Sequence, residues 1–244
     1  VARIDTAALV DELDEALRRA GDPVRAVAEK AYLKSPIDHY GVSVPGTRKA
    51  VHSVVDVREP LSRTTLLRLV RRLWKGMVSE QRMAAIMLLE SHLDLLKADD
   101  LALVERMIRG SFTWAYVDNL AATVAGALVE RNPELAKELD RWAVDECFWV
   151  RRSAMLALLG PLRRGDGDWS RFVRYADAML DEKEFFIRKA IGWVLRETSK
   201  KEPKRVREYV EKRLDRMSGV TFREAVKRLP ERTREELTKA YKAA

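Results

Sequence analysis

The sequence predicts an all-α protein, a curved right-handed solenoid of stacked helical repeats, and three observations carry that expectation. Apolar residues recur at helical spacing along most of the 244 residues. No stretch alternates apolar and polar residues as a half-buried strand does, and no Asn-Gly or Asp-Gly hairpin is flanked by such stretches. One short pattern also recurs at a nearly constant interval.

The elements follow in order. DTAALVDELDEALRRAG predicts a first helix with Asp5 as its N-cap and Gly21 as its stop. Further helices are expected from about Thr47 to Glu59, Leu61 to Lys75, Ser79 to Leu96, Asp100 to Arg109 and Trp114 to Glu130. Others run from about Pro133 to Val144, Phe148 to Leu159, Trp169 to Leu180, Phe185 to Thr198, Pro203 to Met217, Thr221 to Arg228 and Glu231 to Ala243. RRGDGDWS is expected as a turn between helices, and no stretch has the composition of an interdomain linker, so residues 1–244 are expected to form one domain.

RMAAIMLL, DNLAATVAGAL, RRSAMLALL and IRKAIGWVL share the recurring pattern. Anchored on Ala85, Ala121, Ala154 and Ala190, the copies are spaced by 36, 33 and 36 residues. That interval lies near the roughly 40–47 residues of HEAT and armadillo helix pairs. HEAT-like repeats stack so that successive helices line a concave surface. About six helical pairs would fit the chain. In this register the position three before the anchor holds Arg82, Asp118, Arg151 and Ile187, and the next holds Met83, Asn119, Arg152 and Arg188. The same edge therefore presents either a basic trough with one carboxylate in it or a solvated rim of ion pairs.

Bulk composition narrows the function. With 47% hydrophobic and 34% charged residues the chain has material for a core, and no window reaches the roughly 18 apolar residues of a membrane span. Acidic residues interrupt the first apolar segment, which does not resemble a secretory signal, so a cytoplasmic location is expected, nucleoid-associated in a prokaryote. A single cysteine, Cys147, excludes an internal disulfide framework and a multi-cysteine metal site. His39, His52 and His92 show no metal-ligand spacing, and GDGD lacks the Lys-Ser/Thr of a phosphate loop, so no metal or cofactor is expected. The 46 basic against 38 acidic residues give a net charge of +8, which suits a partner carrying phosphates and equally a plain basic protein. TSKKEPKRVREYVEKRLDRM is a basic amphipathic segment, either a phosphate-binding face or a solvated one.

Four separated segments resemble the HEAT-repeat alkylpurine DNA glycosylases of the AlkD type, within the DNA alkylation repair enzymes. AYLKSPIDHYGVSVP matches a Tyr-x-Lys segment followed by aromatic-Gly-aliphatic-x-x-Pro. SFTWAYVDNLA matches a Trp-x-x-x-Asp helix, CFWVRRSAML a Trp and basic-pair segment, and KEFFIRKAIGWVLRE fits over fifteen consecutive positions. The four occur in order between about residues 25 and 215. Where well-known members have Trp-Trp-Asp, this chain has Thr113, Trp114 and Ala115, a departure expected to affect helix packing or substrate range.

The resemblance implies a concave DNA-binding groove and a monomeric, monofunctional DNA glycosylase acting on duplex DNA that contains cationic N3- or N7-alkylated purines. It implies that Trp114, Asp118 and Trp193 surround the sugar of the damaged nucleotide as catalytic residues. Arg152 would contact the DNA backbone there, and Tyr32 would stand in the cleft. Lys34, Arg151, Arg188 and Lys189 are further DNA-binding candidates, with Arg151 the more peripheral of the basic pair. Spacing independently puts Trp114 and Asp118 on one helical face, since they are four residues apart. The residues alone leave alternatives: Trp193 in the core, Trp114 capping an interhelical groove, Asp118 in a structural ion pair. Two other functions stay open, a non-catalytic protein binding branched or distorted DNA and a solenoid that holds an acidic peptide.

Overall fold

The computed structural model describes residues 5–56 and 60–243. Their order is helical: α1 (Thr6–Arg19), α2 (Pro23–Leu33), α3 (Val44–Val51), α4 (Arg63–Lys75), α5 (Ser79–Ser91), α6 (Leu101–Arg109), α7 (Trp114–Asn119) and α8 (Gly126–Arg131). The order continues with α9 (Ala136–Trp142), α10 (Phe148–Leu156), α11 (Leu159–Arg164), α12 (Trp169–Met179), α13 (Phe185–Thr198), α14 (Pro203–Glu211), α15 (Gly219–Ala225) and α16 (Glu231–Ala243). The fold is all-α; among the described residues the β-type pairing is one isolated bridge between Asp38 and Val78. Among the described residues no helix is long and apolar enough to cross a membrane.

Two compact units divide the chain, one of residues up to Leu103 with Gly110–Asn119, the other of Val104–Arg109 with residues from Leu120 onward. In the first, side-chain caps begin α1 to α4: Asp5 accepts from Ala7 and Ala8, Asp22 from Val24 and Arg25, Ser43 from Gly46 and Ser62 from Thr65. Leu9, Leu13 and Leu17 form the inward stripe of α1, each at most 2% exposed. Burying such a leucine stabilises by roughly 1.5–3 kcal/mol. Helix α4 packs its Leu66, Leu69, Val70 and Leu73 face inward against α5, which is buried continuously from Ala84 to Leu89.

Differences from the sequence reading have local causes. Helix α2 was not expected, although Asp22 and Pro23 form a standard cap and first turn. It buries none of its residues: Val24, Val27, Ala28, Ala31 and Tyr32 recur at helical spacing but form an exposed stripe. Helix α3 starts three residues before Thr47 because Ser43 caps it and Pro45 fits its first turn. It passes into a π-helical turn at His52–Asp56, and its expected end at Glu59 lies outside the described residues. The expected helix from Trp114 to Glu130 is divided by a π-helical stretch at Leu120–Ala125. Helix α11 was also missed; its Pro161 occupies the third position, where a missing N–H costs no helical bond.

In the second unit, Ala121, Ala154 and Ala190 are wholly buried, as is Ala85 in the first, so all four anchors of the recurrence are core positions. Helices α10 and α11 pack on α13, and α13 packs on α15. Gly192 permits the last contact: a Cβ there would lie 2.8 Å from the Thr221 carbonyl oxygen. A polar ladder ties the other layer together with nearly the same interval. Glu105 accepts from Arg141 and Trp142, Asp140 from Arg171, Arg174 and Tyr175, and Asp177 from Tyr209 and Arg213. Beside it, Arg109 pairs with Asp145.

Burial works to raise the Glu105 carboxyl, but hydrogen bonds from Arg141, Arg109 and Trp142 outweigh it and hold the group below its usual range. Burial is likewise outweighed at Asp140, while at Asp145 the Arg109 hydrogen bond leads in lowering the carboxyl. A depressed folded pKa gives stability that is complete above the unfolded value, near 4, and is lost as pH falls through the folded value. Glu105→Gln is therefore expected to lower the melting temperature at pH 7 by about 2–4 °C, on the scale of 1 kcal/mol for a pair whose arginine is half exposed. Melting curves run at decreasing pH should show that difference shrinking toward pH 3; a constant gap would deny the ladder its electrostatic part.

Candidate nucleic-acid interface

In the first unit, the Thr113 hydroxyl accepts from the Ala115 N–H and starts α7. The departure at Thr113 thus supplies a helix cap, and the residue is 4% exposed. Capping leaves Trp114 at the first helical position, where its indole stays 38% exposed. Asp118 follows one turn later, part-buried. Tyr116, on the opposite side of α7, anchors the helix through its hydroxyl against Ser79, and burial pushes that phenol up to about 12.

Trp114 lines a cavity of about 200 Å³ with Tyr32, Glu29, Val44, Glu80 and Met83. Tyr32 and Trp114 are thus brought together although 82 positions separate them in the chain (32 to 114). Lys34, beyond the end of α2, is exposed and has a left-handed backbone with φ of 49°. The Tyr-Gly-Val motif now has a physical basis. The buried Glu80 carboxylate accepts the consecutive N–H groups of Tyr40, Gly41 (2.7 Å) and Val42 (3.0 Å). Three converging amides form an anion nest, which requires an unusual backbone. Gly41 has φ of 80°, and a Cβ there would fall 2.1 Å from the Asp22 carbonyl oxygen.

In the second unit, Arg152 is 3% exposed on α10. Its guanidinium donates to the Phe186 carbonyl and lies 5.9 Å from the centre of the Trp193 ring. Trp193 is part-buried, neither a core residue nor a fully open one. Arg151 has internal partners: two hydrogen bonds to Glu182, at 3.0 and 2.7 Å, and others to the Asp145 and Glu146 carbonyls. Arg188 donates to the Glu182 carbonyl and Lys189 to Glu224. These two candidates also bind within the protein.

A regularity unseen in the sequence links three of the arginines. Arg82, Arg151 and Arg188 each donate to the carbonyl six residues earlier, in the turn that precedes their helix. Arg82 also lies over the Trp74 and Phe112 rings and donates to the Gly110 carbonyl. An arginine three residues before the anchor (Arg82, Arg151) or two before it (Arg188) therefore braces the preceding turn. Sequence reasoning also overlooked the aromatic group of Phe148, Trp149, Phe185 and Phe186, whose rings lie 4.4 to 6.4 Å apart in contacting pairs. Glu29, His39 and Glu80 come together as well, with ligand-type atoms within 4.8 Å of one another. Burial pushes the His39 imidazole down toward its neutral form.

Residues 13–229 match the family model described as DNA alkylation repair enzyme. The chain belongs to that family. Among solved structures, the DNA alkylation repair fold is similar in a protein of Enterococcus faecalis described as a predicted DNA alkylation repair enzyme. The two share 21% identity with a TM-score of 0.77, covering 86% of this chain and 97% of that one. AlkD2 from Streptococcus mutans is similar with 14% identity and a TM-score of 0.60, over 92% of this chain and 99% of that one. The smu.31 protein of Streptococcus mutans UA159 follows with 15% identity and a TM-score of 0.57, over 88% and 100%. No curated protein matches this member of the DNA alkylation repair family by sequence.

Proposed function

We propose that the protein is a monofunctional DNA glycosylase that hydrolyses the N-glycosidic bond of cationic N3- or N7-alkylated purines in duplex DNA, acting as a cytoplasmic monomer. The observation that carries the reading is Asp118 one turn along α7 from the exposed Trp114, with Tyr32 beside the same indole. A purine alkylated at N3 or N7 is already positive and leaves without a proton from the enzyme. As the C1′–N bond breaks, its electron pair goes to the base and the sugar becomes cationic. A carboxylate beside that sugar stabilises the developing charge and orients the water that adds to C1′, whose proton passes to Asp118 or solvent. The negative face of an indole favours the same cation. The test is release of free 7-methylguanine from methylated duplex DNA.

In this reading Arg152, 3% exposed and bonded to the Phe186 carbonyl in the free protein, turns outward to meet a phosphate of the duplex. Arg152→Ala is expected to weaken duplex binding and to flatten the slope of log K against log salt by about 0.9, one phosphate's share. Arg151, occupied by Glu182 and turn carbonyls, braces the preceding turn; Arg151→Ala should lower the melting temperature and leave the slope in place. An unchanged slope in Arg152→Ala, measured by fluorescence anisotropy across a salt series, removes Arg152 from the interface.

A further inference from the structure

We propose that Glu29, His39 and Glu80 bind a divalent transition-metal cation of the zinc class, and that this ion fastens α2 to α5. The three residues come from α2, from the loop before α3 and from the first turn of α5, and no spacing along the chain announces them. Both ring nitrogens of His39 are shielded from solvent and have no hydrogen-bond partner. A buried polar atom left in that state is costly unless something satisfies it. The neighbouring carboxylates have partners elsewhere, Glu29 in Arg25 and Glu80 in three backbone N–H groups, and neither bonds the ring.

The carboxylates keep coordinating capacity. At Glu80, Oε1 takes the N–H groups of Gly41 and Val42 and shares that of Tyr40, while Oε2 takes only the Tyr40 N–H. At Glu29, the bond from Arg25 goes to Oε1. One oxygen on each side chain is therefore available beside the imidazole. A nitrogen and two carboxylate oxygens suit zinc, whose bonds to such atoms are about 2.0–2.2 Å. Donor atoms around one ion stand at most about 4 Å apart on those lengths, so the present separations close by small side-chain rotations. Two of the three donors, Glu29 and Glu80, also line the cavity that holds Tyr32 and Trp114.

The consequence concerns α2. That helix buries none of its residues, and Val24, Val27 and Tyr32 on it are 81%, 72% and 75% exposed. Tertiary burial gives it little hold, so an ion gripping Glu29 would fix both the helix and Tyr32, one turn further on. The inference rests on the assembled donors and not on glycosylase activity, and its readouts are separate from base release. Chelator-treated protein is titrated with zinc ions by calorimetry, and bound metal is counted after dialysis. Wild type should hold one equivalent with affinity at or below the micromolar range. His39→Phe, similar in size, and Glu29→Gln, on a helix surface, should each weaken binding by at least tenfold. Cobalt substituted for zinc should give visible absorption characteristic of four-coordinate nitrogen and oxygen ligation, lost in His39→Phe. Amides of α2 should exchange more slowly with zinc in wild type only. Failure of wild type to bind, or equal binding by His39→Phe, overturns the site; unchanged exchange in α2 overturns the fastening.

Discussion

Asp118→Asn is expected to slow release of 7-methylguanine from duplex DNA by about 10²–10³-fold, the size of effect seen when one electrostatic stabiliser is removed. The substitution keeps the shape of the side chain and its capacity to accept hydrogen bonds, while deleting the charge that opposes the sugar cation. Binding should hold or tighten, because a carboxylate among phosphates is repulsive before reaction begins. Single-turnover release measured beside duplex affinity separates the two effects. Spontaneous loss of the cationic base sets a floor and must be subtracted from both rates. Release by Asp118→Asn at the wild-type rate, with binding retained, would replace the glycosylase reading with that of a non-catalytic protein binding distorted DNA.

The largest stability effect is expected at Glu80. Its carboxylate is 4% exposed and is the acceptor for three consecutive N–H groups. Glu80→Ala leaves those donors without an acceptor in a loop that cannot rearrange freely around Gly41. Each orphaned buried donor costs roughly 1–3 kcal/mol, so a loss of about 3 kcal/mol is a lower expectation, against a total stability on the order of 5–15 kcal/mol. The melting temperature should fall by roughly 10 °C. Glu80→Gln retains a carbonyl oxygen for part of the nest and should lie between the two. If Glu80→Ala melts within 2 °C of wild type, water replaces the carboxylate and the nest is not a determinant of the fold; about 2 °C is the smallest shift that 1 kcal/mol produces at this size.

These residues also show what the sequence could and could not reveal. Leu9, Leu13 and Leu17 declare α1 because burial imposes their spacing, whereas α2 was missed although Asp22, Pro23 and the spacing of Val24, Val27 and Ala31 were there to be read. Ala85, Ala121, Ala154 and Ala190 were found by recurrence, since a wholly buried position where helices meet has room for little else. Trp114 and Asp118 were named through resemblance, and their spacing of four residues added that they share one helical face. Tyr32, beside Trp114, was likewise reachable only through resemblance, as its place depends on a cavity assembled from distant segments. Arg151 illustrates the opposite problem. Its charge suggested an external partner, but its acceptors are turn carbonyls and a glutamate 31 residues away, which no local pattern encodes. The Glu29, His39 and Glu80 group was hidden for the same reason, with its members spread from residue 29 to residue 80.

The ladder of Glu105, Asp140 and Asp177 constrains how such a chain can change by recombination. Each acid is satisfied by residues that the following repeat supplies: Arg141 for Glu105, Arg174 and Tyr175 for Asp140, Tyr209 and Arg213 for Asp177. A duplicated repeat carries an acid on its own account and an arginine for its predecessor, so an extra copy spliced in frame keeps every carboxylate matched. A repeat imported from a distant relative without that arginine would strand the acid before it, even if its own core were faultless. The second unit can therefore lengthen by copying itself far more readily than by borrowing, and a repeat imported into an engineered chimaera has to bring the arginine that matches the acid before it.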